Sequence, residues 1–174
     1  TIMSAGTRRG AMMGVMRDHH PDILSFIDAK KDRTRLRMFN LSVLVSDALI
    51  EAVDADEDWP LHFNDTVHET IRARDLWNAI MEATYEYAEP GVIFIDRVNQ
   101  LNNLSWLENI AATNPCGEQP LPPYGACLLG SLNLSRFVEN PFSDTARLDI
   151  ESMTACVATA VRMMDNVIDA SHFP

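Results

Sequence analysis

Residues 114–133, NPCGEQPLPPYGACLLGSLN, hold two of the chain's three cysteines in a segment rich in proline and glycine. Proline interrupts helices and cannot donate to the ladder of a central strand, so residues 114–123 are predicted to form a shaped loop. In an extended loop, Asn114, Cys116 and Glu118 would project to one side, with alternate residues roughly 6 to 7 Å apart. An amide, a thiol and a carboxyl group would then face one ligand about as wide as a pentose ring.

The three cysteines differ in what surrounds them. A free cysteine is often only a small buried apolar residue, and this interpretation is favoured for Cys156, which lies in an apolar helical stripe. For Cys127 the choice between a structural and a chemical role stays open, because this residue lies with Ser131 and Asn133 on the polar face of a predicted strand over residues 126–134. A chemical role is favoured for Cys116, because a loop thiol between an amide and a carboxylate is poor core material.

Metal binding is not predicted for these cysteines. A zinc site is disfavoured because no second cysteine or histidine stands at ligand spacing from Cys116 or Cys127. With three cysteines and no CxxC motif, reduced or redox-active thiols are favoured over a disulfide framework.

Composition narrows the class of partner. The chain has 174 residues with 14 basic and 25 acidic side chains, a net charge of −11, which argues against a nucleic-acid polymer as partner. No apolar run approaches the roughly 20 residues that cross a bilayer, and no signal peptide is recognisable, so no membrane association and a cytoplasmic location are predicted. Because the sequence starts at Thr1 without methionine and stops directly after a predicted helix, we expect it to be excised from a longer chain.

Alternating helical and strand patterns predict an α/β fold. Helices are predicted within residues 19–30, 47–53, 76–85 and 153–168, and strands at residues 39–45 and 91–96. Ser46 is the predicted N-cap of the second helix. The alternation of apolar and polar residues from Phe39 to Val45 predicts a half-buried strand, and the acidic segment 54–66 is predicted to be an irregular surface excursion.

The run NPCGEQPLPPYGACLLGSLNL resembles the finger loop of ribonucleotide reductases, and its opening NPCGEQPL resembles the adenosylcobalamin-dependent (class II) ribonucleoside-diphosphate reductases. The similarity extends through SAGTRRGAMMG, HPDILSFIDAK, RMFNLSVLVSDA, RARDLWNAIMEATYEYAEPGVIFIDRVN and DNVIDASHFP. It implies that residues 1–174 are an internal, partial catalytic domain. The implied fold is part of a ten-stranded α/β barrel of the ribonucleotide reductase and glycyl radical type, with the finger loop at its centre.

The resemblance also implies roles for four side chains. Cobalt–carbon bond homolysis in adenosylcobalamin would lead to a thiyl radical on Cys116, which takes the ribose 3′-hydrogen. Glu118 would remove the 3′-hydroxyl proton so that the 2′-hydroxyl leaves as water, and Asn114 would hold the ribose hydroxyls. Cys127 would be one of two cysteines that reduce the sugar and end as a disulfide, its partner lying upstream of Thr1. The product is a 2′-deoxyribonucleotide for DNA synthesis.

The basic stretch from Ala29 to Arg37 has two interpretations. In the first interpretation it is a solvated connection between a helix and a strand, as charge runs usually are. By position, the resemblance instead implies the loop that relays the identity of a bound effector nucleotide to the substrate base, with Lys30, Arg33 and Arg35 as contacts.

The implied partners are a ribonucleotide substrate, a nucleotide effector and an external dithiol such as thioredoxin, with a homodimer of the full-length protein as a candidate assembly. One alternative is the large subunit of a class I reductase, whose radical comes from a metal-bearing partner. Another is a non-catalytic nucleotide-binding or dimerisation module on the same scaffold. Diphosphate or triphosphate substrates and the cobalamin-binding residues stay open. The isolated piece, with open sheet edges, is expected to be inactive and prone to aggregate.

Overall fold

The structure is a computed structural model that describes residues 3–4 and 8–171, and the chain divides into two compact units, Thr1–Gly125 and Ala126–Pro174. The first unit contains, in chain order, β1 (Met3–Ser4), β2 (Arg8–Arg9), β3 (Met12–Arg17), α1 (Ile23–Ile27), β4 (Phe39–Val45), α2 (Asp47–Ala55), β5 (Asp58–Phe63), β6 (Thr66–Arg72), α3 (Ala73–Tyr87), β7 (Gly91–Phe94), α4 (Ile95–Gln100), β8 (Ala112–Thr113) and β9 (Pro120–Leu121). A 3-10 turn, Asp28–Lys30, directly extends α1. The predicted α/β character is confirmed.

The centre of the first unit is a parallel sheet of three strands in the order β3-β4-β7. Met12 pairs with Phe39 at one end of β3, and pairing between β4 and β7 begins only at Ser42 and Gly91. Residues 41–45 of the middle strand are all buried. The prediction of a half-buried strand is therefore wrong, because a middle strand of a parallel sheet is covered on both faces.

The two faces of β4 pack against different partners. Val43 and Val45 join the larger core, together with buried residues of α1, α2, β5 and α3. Leu44, on the opposite face, packs with Ile95 and Ile110 in a smaller core. Because side chains alternate along a strand, Asn40 and Ser42 share the face of Leu44.

The start of α2 is fixed by two side chains. Ser46 has extended backbone, and its hydroxyl accepts the backbone N–H of Leu49 at 3.1 Å, so the predicted N-cap is confirmed. Asp18, only 1% exposed, accepts the backbone N–H of Ser46 at 2.6 Å and its hydroxyl at 2.7 Å. A buried carboxylate is tolerated here because these two donors satisfy it.

Residues 58–72 form an antiparallel hairpin of β5 and β6 with a bulge between Leu61 and His62. The prediction of an irregular excursion over residues 54–66 is therefore wrong from Asp58 onward. Leu61 is fully buried, and the Trp59 indole N–H donates to the Asp18 carbonyl at 3.2 Å. The spacing of Trp59 and Leu61 two residues apart, which puts both on one face of a strand, is the signal that the acidic composition concealed.

A histidine pair joins the end of β3 to this hairpin. The rings of His19 and His62 stack with centroids 4.2 Å apart and an interplanar angle of 3°. Partial burial lowers the pKa of His19, and His62 and Arg17 add to this, whereas the Asp18 carboxylate, 3.3 Å from His19 Nδ1, opposes it. The unfolded state therefore binds a proton on His19 more readily than the folded state does. The contribution of His19 to the free energy of unfolding is fully present above about pH 6.5 and is lost as the pH falls.

We expect the hairpin to open more easily in acid. In the full-length protein, amide hydrogen exchange of residues 58–63, corrected for the intrinsic rate, should accelerate between about pH 7.5 and about pH 5.5, and His19→Gln should reduce that change. His68→Gln, at an exposed position of β6, is the matched control and should retain the full pH dependence. An unchanged pH dependence in His19→Gln would show that another group is responsible.

The helix predicted over residues 76–85 is confirmed as α3. Leu76 and Ile80 are fully buried, whereas Tyr85, predicted on the same apolar face, is exposed. The chain leaves α3 through Ala88 in the left-handed region and continues into β7, which is shorter than predicted because the backbone turns into α4 at Ile95.

The second unit contains a 3-10 turn at Leu134–Phe137, the short strands β10 (Val138–Glu139) and β11 (Arg147–Leu148), and the long helix α5 (Ile150–Ala170). The predicted helix is confirmed. Of its predicted apolar stripe, Met153, Cys156, Ala160 and Met164 are half-buried, whereas Val157, Val167 and Ile168 are exposed. The prediction of a strand over residues 126–134 is wrong, because no strand of this unit pairs with residues 126–133. A Cβ at Gly130 would lie 2.7 Å from the Met164 sulfur, so glycine allows this segment to approach α5.

None of the helices in the described ranges has both the length and the apolar character needed to cross a bilayer.

Candidate functional site

The segment from Asn114 to Gln119 is the tip of a hairpin. Its base is the antiparallel pair β8 and β9, and the Asn114 N–H donates to the Gln119 carbonyl at 3.1 Å. The predicted loop is thus confirmed for residues 114–119, whereas Pro120 and Leu121 of the predicted range form β9 and the predicted extended conformation is wrong. A two-residue ladder is short enough for Pro120 to be accommodated in β9.

The tip closes through a tight turn that presents Cys116. The Gly117 N–H donates to the Asn114 carbonyl at 3.0 Å, which places Pro115 and Cys116 at the two central turn positions. Gly117 has a φ of +81°, a conformation that glycine adopts without strain. The Cys116 side chain is exposed on this turn.

The turn brings Asn114 and Glu118 together. The Asn114 side-chain N–H₂ donates to the Glu118 carboxylate, and its side-chain oxygen accepts the Gln119 backbone N–H at 3.1 Å. A primary amide has two N–H groups and two lone pairs, so one of each stays available to a ligand. The expected grouping of an amide and a carboxyl group is present, with the thiol two residues from each.

The hairpin is anchored to the sheet face that carries Asn40, Ser42 and Leu44. At its base, Asn99 accepts the Ile110 N–H at 2.7 Å and donates to the Ile110 carbonyl at 3.0 Å. At its tip, the Asn40 side-chain amide donates to the Pro115 carbonyl. The hairpin is therefore held at its base by α4 and at its tip by β4.

Cys116 and Gly117 line an open cavity of about 550 Å³ next to the first residues of β4 and β7. Asn40, Ser42 and Glu89 supply polar groups to its wall. Its volume is in the range of about 300 to 1,000 Å³ that is usual for small-ligand sites. Asn40 and Glu89 were not among the site residues predicted from the sequence. The available signal for Asn40 was its polar side chain near the start of a mostly apolar strand.

The basic stretch lies beside a second cavity, of about 450 Å³, whose lining includes Lys30, Arg33, Arg35 and Arg37. Lys30 is already engaged, since its ammonium pairs with Glu89 and donates to the Phe39 carbonyl. Within residues 3–4 and 8–171, no ion pair involves Arg33 or Arg35. Asp32 accepts the Thr34 backbone N–H at 2.9 Å and shapes the loop between the two arginines. Those hydrogen bonds from Thr34 lower the pKa of Asp32.

The other two cysteines belong to the second unit. Cys127 is exposed and Cys156 is half-buried on α5, and both are free thiols. Among the described residues, no three histidine, cysteine, aspartate or glutamate side chains converge as a metal-binding group.

Over residues 1–174, the sequence matches the family described as "Ribonucleotide reductase, barrel domain". It is 42% identical over 176 residues to the vitamin B12-dependent ribonucleoside-diphosphate reductase of Thermoplasma acidophilum, which covers 99% of this chain and 22% of the relative. The protein of the same name from Mycobacterium tuberculosis is 39% identical, with 99% of this chain and 25% of the relative covered. The vitamin B12-dependent ribonucleotide reductase of Streptomyces clavuligerus is 28% identical over all of this chain and 21% of the relative. The chain thus spans a quarter or less of the length of these relatives.

Proposed function

Because the chain belongs to the ribonucleotide reductase barrel-domain family, we propose that it is the part of an adenosylcobalamin-dependent reductase that carries the radical thiol. The full-length protein would reduce ribonucleotides to 2′-deoxyribonucleotides. The observation that carries this proposal is the hairpin tip, which exposes Cys116 to a cavity of ligand size and sets Asn114 against Glu118. The names of the relatives from Thermoplasma and Mycobacterium support the cofactor and a ribonucleoside diphosphate as substrate.

When bound, adenosylcobalamin supplies the radical that takes the hydrogen atom of the Cys116 thiol. The residues present fit this requirement, because the thiol is exposed at the open side of the cavity and no side-chain hydrogen bond engages it among the described residues. The Cys116 thiyl then removes the ribose 3′-hydrogen, re-forming its S–H bond and leaving a radical on the sugar.

Glu118 acts as the general base. Its carboxylate takes the 3′-hydroxyl proton, and the Asn114 amide donates to that carboxylate and holds it toward the ribose. The remaining N–H and lone pair of Asn114 are suited to the ribose hydroxyls, which donate and accept. The 2′-hydroxyl then leaves as water.

Cys127 provides one of the two thiols that reduce the sugar radical. The pair supplies the proton with which the 2′-hydroxyl leaves, a hydrogen atom to C2′ and one further electron, and becomes a disulfide, while Glu118 returns its proton to the 3′-oxygen. The Cys116 S–H then gives its hydrogen back to C3′ and becomes the thiyl again. In balance, one ribonucleotide and two thiols give one deoxyribonucleotide, one water and one disulfide. We place the second thiol upstream of Thr1, and an external dithiol such as thioredoxin would restore the pair. The homodimer and the cytoplasmic location stay predictions.

The proposal is tested by product formation in the full-length protein with a ribonucleotide, dithiothreitol and adenosylcobalamin. Deoxyribonucleotide that forms only with the cofactor is the expected result. Product that requires a metal-bearing partner subunit instead would indicate a class I large subunit. Nucleotide binding without product under both conditions would indicate a non-catalytic module.

For the segment from Ala29 to Arg37 we propose the effector-relay role. Arg33 and Arg35 supply the cations toward a nucleotide, and Lys30 ties the segment to β4 through Glu89 and the Phe39 carbonyl. Guanidinium groups suit phosphate and base edges because they donate in a planar fork.

Replacing Arg33 and Arg35 by alanine should alter substrate preference rather than catalysis. In the full-length protein, the ratio of kcat/KM values for two ribonucleotides under one effector should move several-fold, toward the ratio seen without effector. Arg162→Ala, an exposed arginine of α5, is the control and should leave the ratio unchanged. Identical ratios in all variants would remove the segment from effector relay.

A further inference from the structure

We propose that Asn40 is a positioning residue for the Cys116 thiol: its side-chain amide holds the Pro115 carbonyl and thereby fixes the turn that presents the sulfur. The inference rests on the proposed function for its catalytic consequence, although the contact itself can be tested without it. Asn40 and Pro115 are 75 residues apart in sequence, so the bond joins the sheet to the hairpin tip.

The backbone on both sides of Asn40 is held by one ion pair. Lys30 and Glu89 are only 16% and 20% exposed and pair with each other. The Lys30 ammonium also donates to the Phe39 carbonyl, and the Glu89 carboxylate accepts the Leu41 N–H at 3.3 Å. The backbone of both neighbours of Asn40 is therefore held in place, and this fixes the position of the Asn40 Cα from which the side chain extends.

The sheet leaves this side chain free to reach the hairpin. Asn40 pairs with Met13 on one side, but on the other side pairing with β7 starts two residues later, at Ser42. The edge next to Asn40 is therefore open, and the cavity that Cys116 lines occupies it.

The bond constrains the sulfur through the peptide unit that it touches. The Pro115 carbonyl belongs to the planar peptide that also contains the Cys116 nitrogen, and the proline ring fixes φ on its other side. Holding the oxygen thus sets the direction in which the Cys116 Cα leaves the turn. The turn bond from Gly117 to Asn114 closes the far side at 3.0 Å. Misplacing a reacting group by about 1 Å can cost about 10²-fold in rate.

Asn40→Asp is the sharpest variant, since it keeps the shape but replaces the donor with an oxygen that repels the Pro115 carbonyl. In the full-length protein we expect kcat for deoxyribonucleotide formation to fall about 10- to 10²-fold with KM unchanged. We also expect iodoacetamide to alkylate Cys116 several-fold faster, measured peptide by peptide, while Cys127 and Cys156 react as before.

Asn40→Ala, which adds no charge, repeats both measurements if the aspartate variant unfolds, and Asn103→Ala, at an exposed loop position, is the matched control. An unchanged kcat and an unchanged Cys116 alkylation rate would overturn the proposal, and so would a rise in KM at constant kcat, which would make Asn40 a substrate ligand. If the wild-type protein forms no product, the proposed function fails, and the alkylation rates alone decide whether Asn40 holds the turn.

Discussion

Cys116→Ser in the full-length protein is expected to reduce deoxyribonucleotide formation to the level of a reaction without enzyme. A serine hydroxyl is close in size to the thiol but does not supply the sulfur-centred radical that is proposed to take the ribose 3′-hydrogen. The fold should be unaffected, because the side chain is exposed on a turn whose hydrogen bonds come from Asn114, Gly117 and Gln119. Product is measured by chromatography over many turnovers, with thermal unfolding measured in parallel.

Cys156→Ser is the matched control for this loss. Cys156 is half-buried in the helical stripe of α5 and has no role in the proposed chemistry. We expect it to retain most of the wild-type rate, so that a loss confined to Cys116→Ser reports the chemistry rather than the removal of a thiol. Equal losses in both variants, or full activity in Cys116→Ser, would contradict the assignment.

Glu118→Gln should lower kcat by about 10² to 10⁴, the usual contribution of a positioned general base. The glutamine side-chain oxygen can still accept from Asn114, so the hairpin tip should keep its geometry while losing the group proposed to take the 3′-hydroxyl proton. The measurement is steady-state kcat and KM with saturating cofactor and reductant.

Glu82→Gln controls for the loss of one negative charge, because Glu82 lies exposed on α3. It should leave kcat within the error of the wild type. If Glu118→Gln raised KM and left kcat intact, Glu118 would be a substrate ligand and not the base.

The loop and the contact between Asn114 and Glu118 were predictable because they depend on neighbours in sequence. Prolines exclude a helix from residues 114–123, and the pairing of Asn114 with Glu118 spans only four residues. The family resemblance read from the same run is confirmed by the match over residues 1–174. Local capping at Ser46 and the helix α5 are confirmed for the same reason.

Contacts between distant parts of the chain were not predictable. Asn40 meets Pro115 across 75 residues, and the Leu41 N–H meets Glu89 across 48. Only the packing of the hairpin on the sheet and the pairing of β4 with β7 bring these groups together, and no sequence pattern encodes those arrangements directly. Burial on both faces of β4 follows from the same arrangement.

The acidic composition of the segment around Asp58 led to a wrong prediction. The acidic residues around Asp58 suggested an irregular segment, yet Trp59 and Leu61 alternate into the core and make the segment a strand. For residues 126–133 the alternation led to the opposite error: a strand was predicted where none forms. A strand requires a hydrogen-bonding neighbour as well as an alternating pattern. The proposed role of Cys127 accordingly rests on the family and not on a strand geometry.

The most direct test follows the bond that the Cys116 thiyl is proposed to break. The full-length protein is given an equimolar mixture of a ribonucleotide and its 3′-deuterated form with adenosylcobalamin and dithiothreitol, and the two products are compared by mass spectrometry at low conversion. We predict that the protiated substrate is consumed faster, because its 3′-hydrogen is removed during reduction. Equal consumption of the two forms, with product accumulating, would contradict removal of that hydrogen by Cys116.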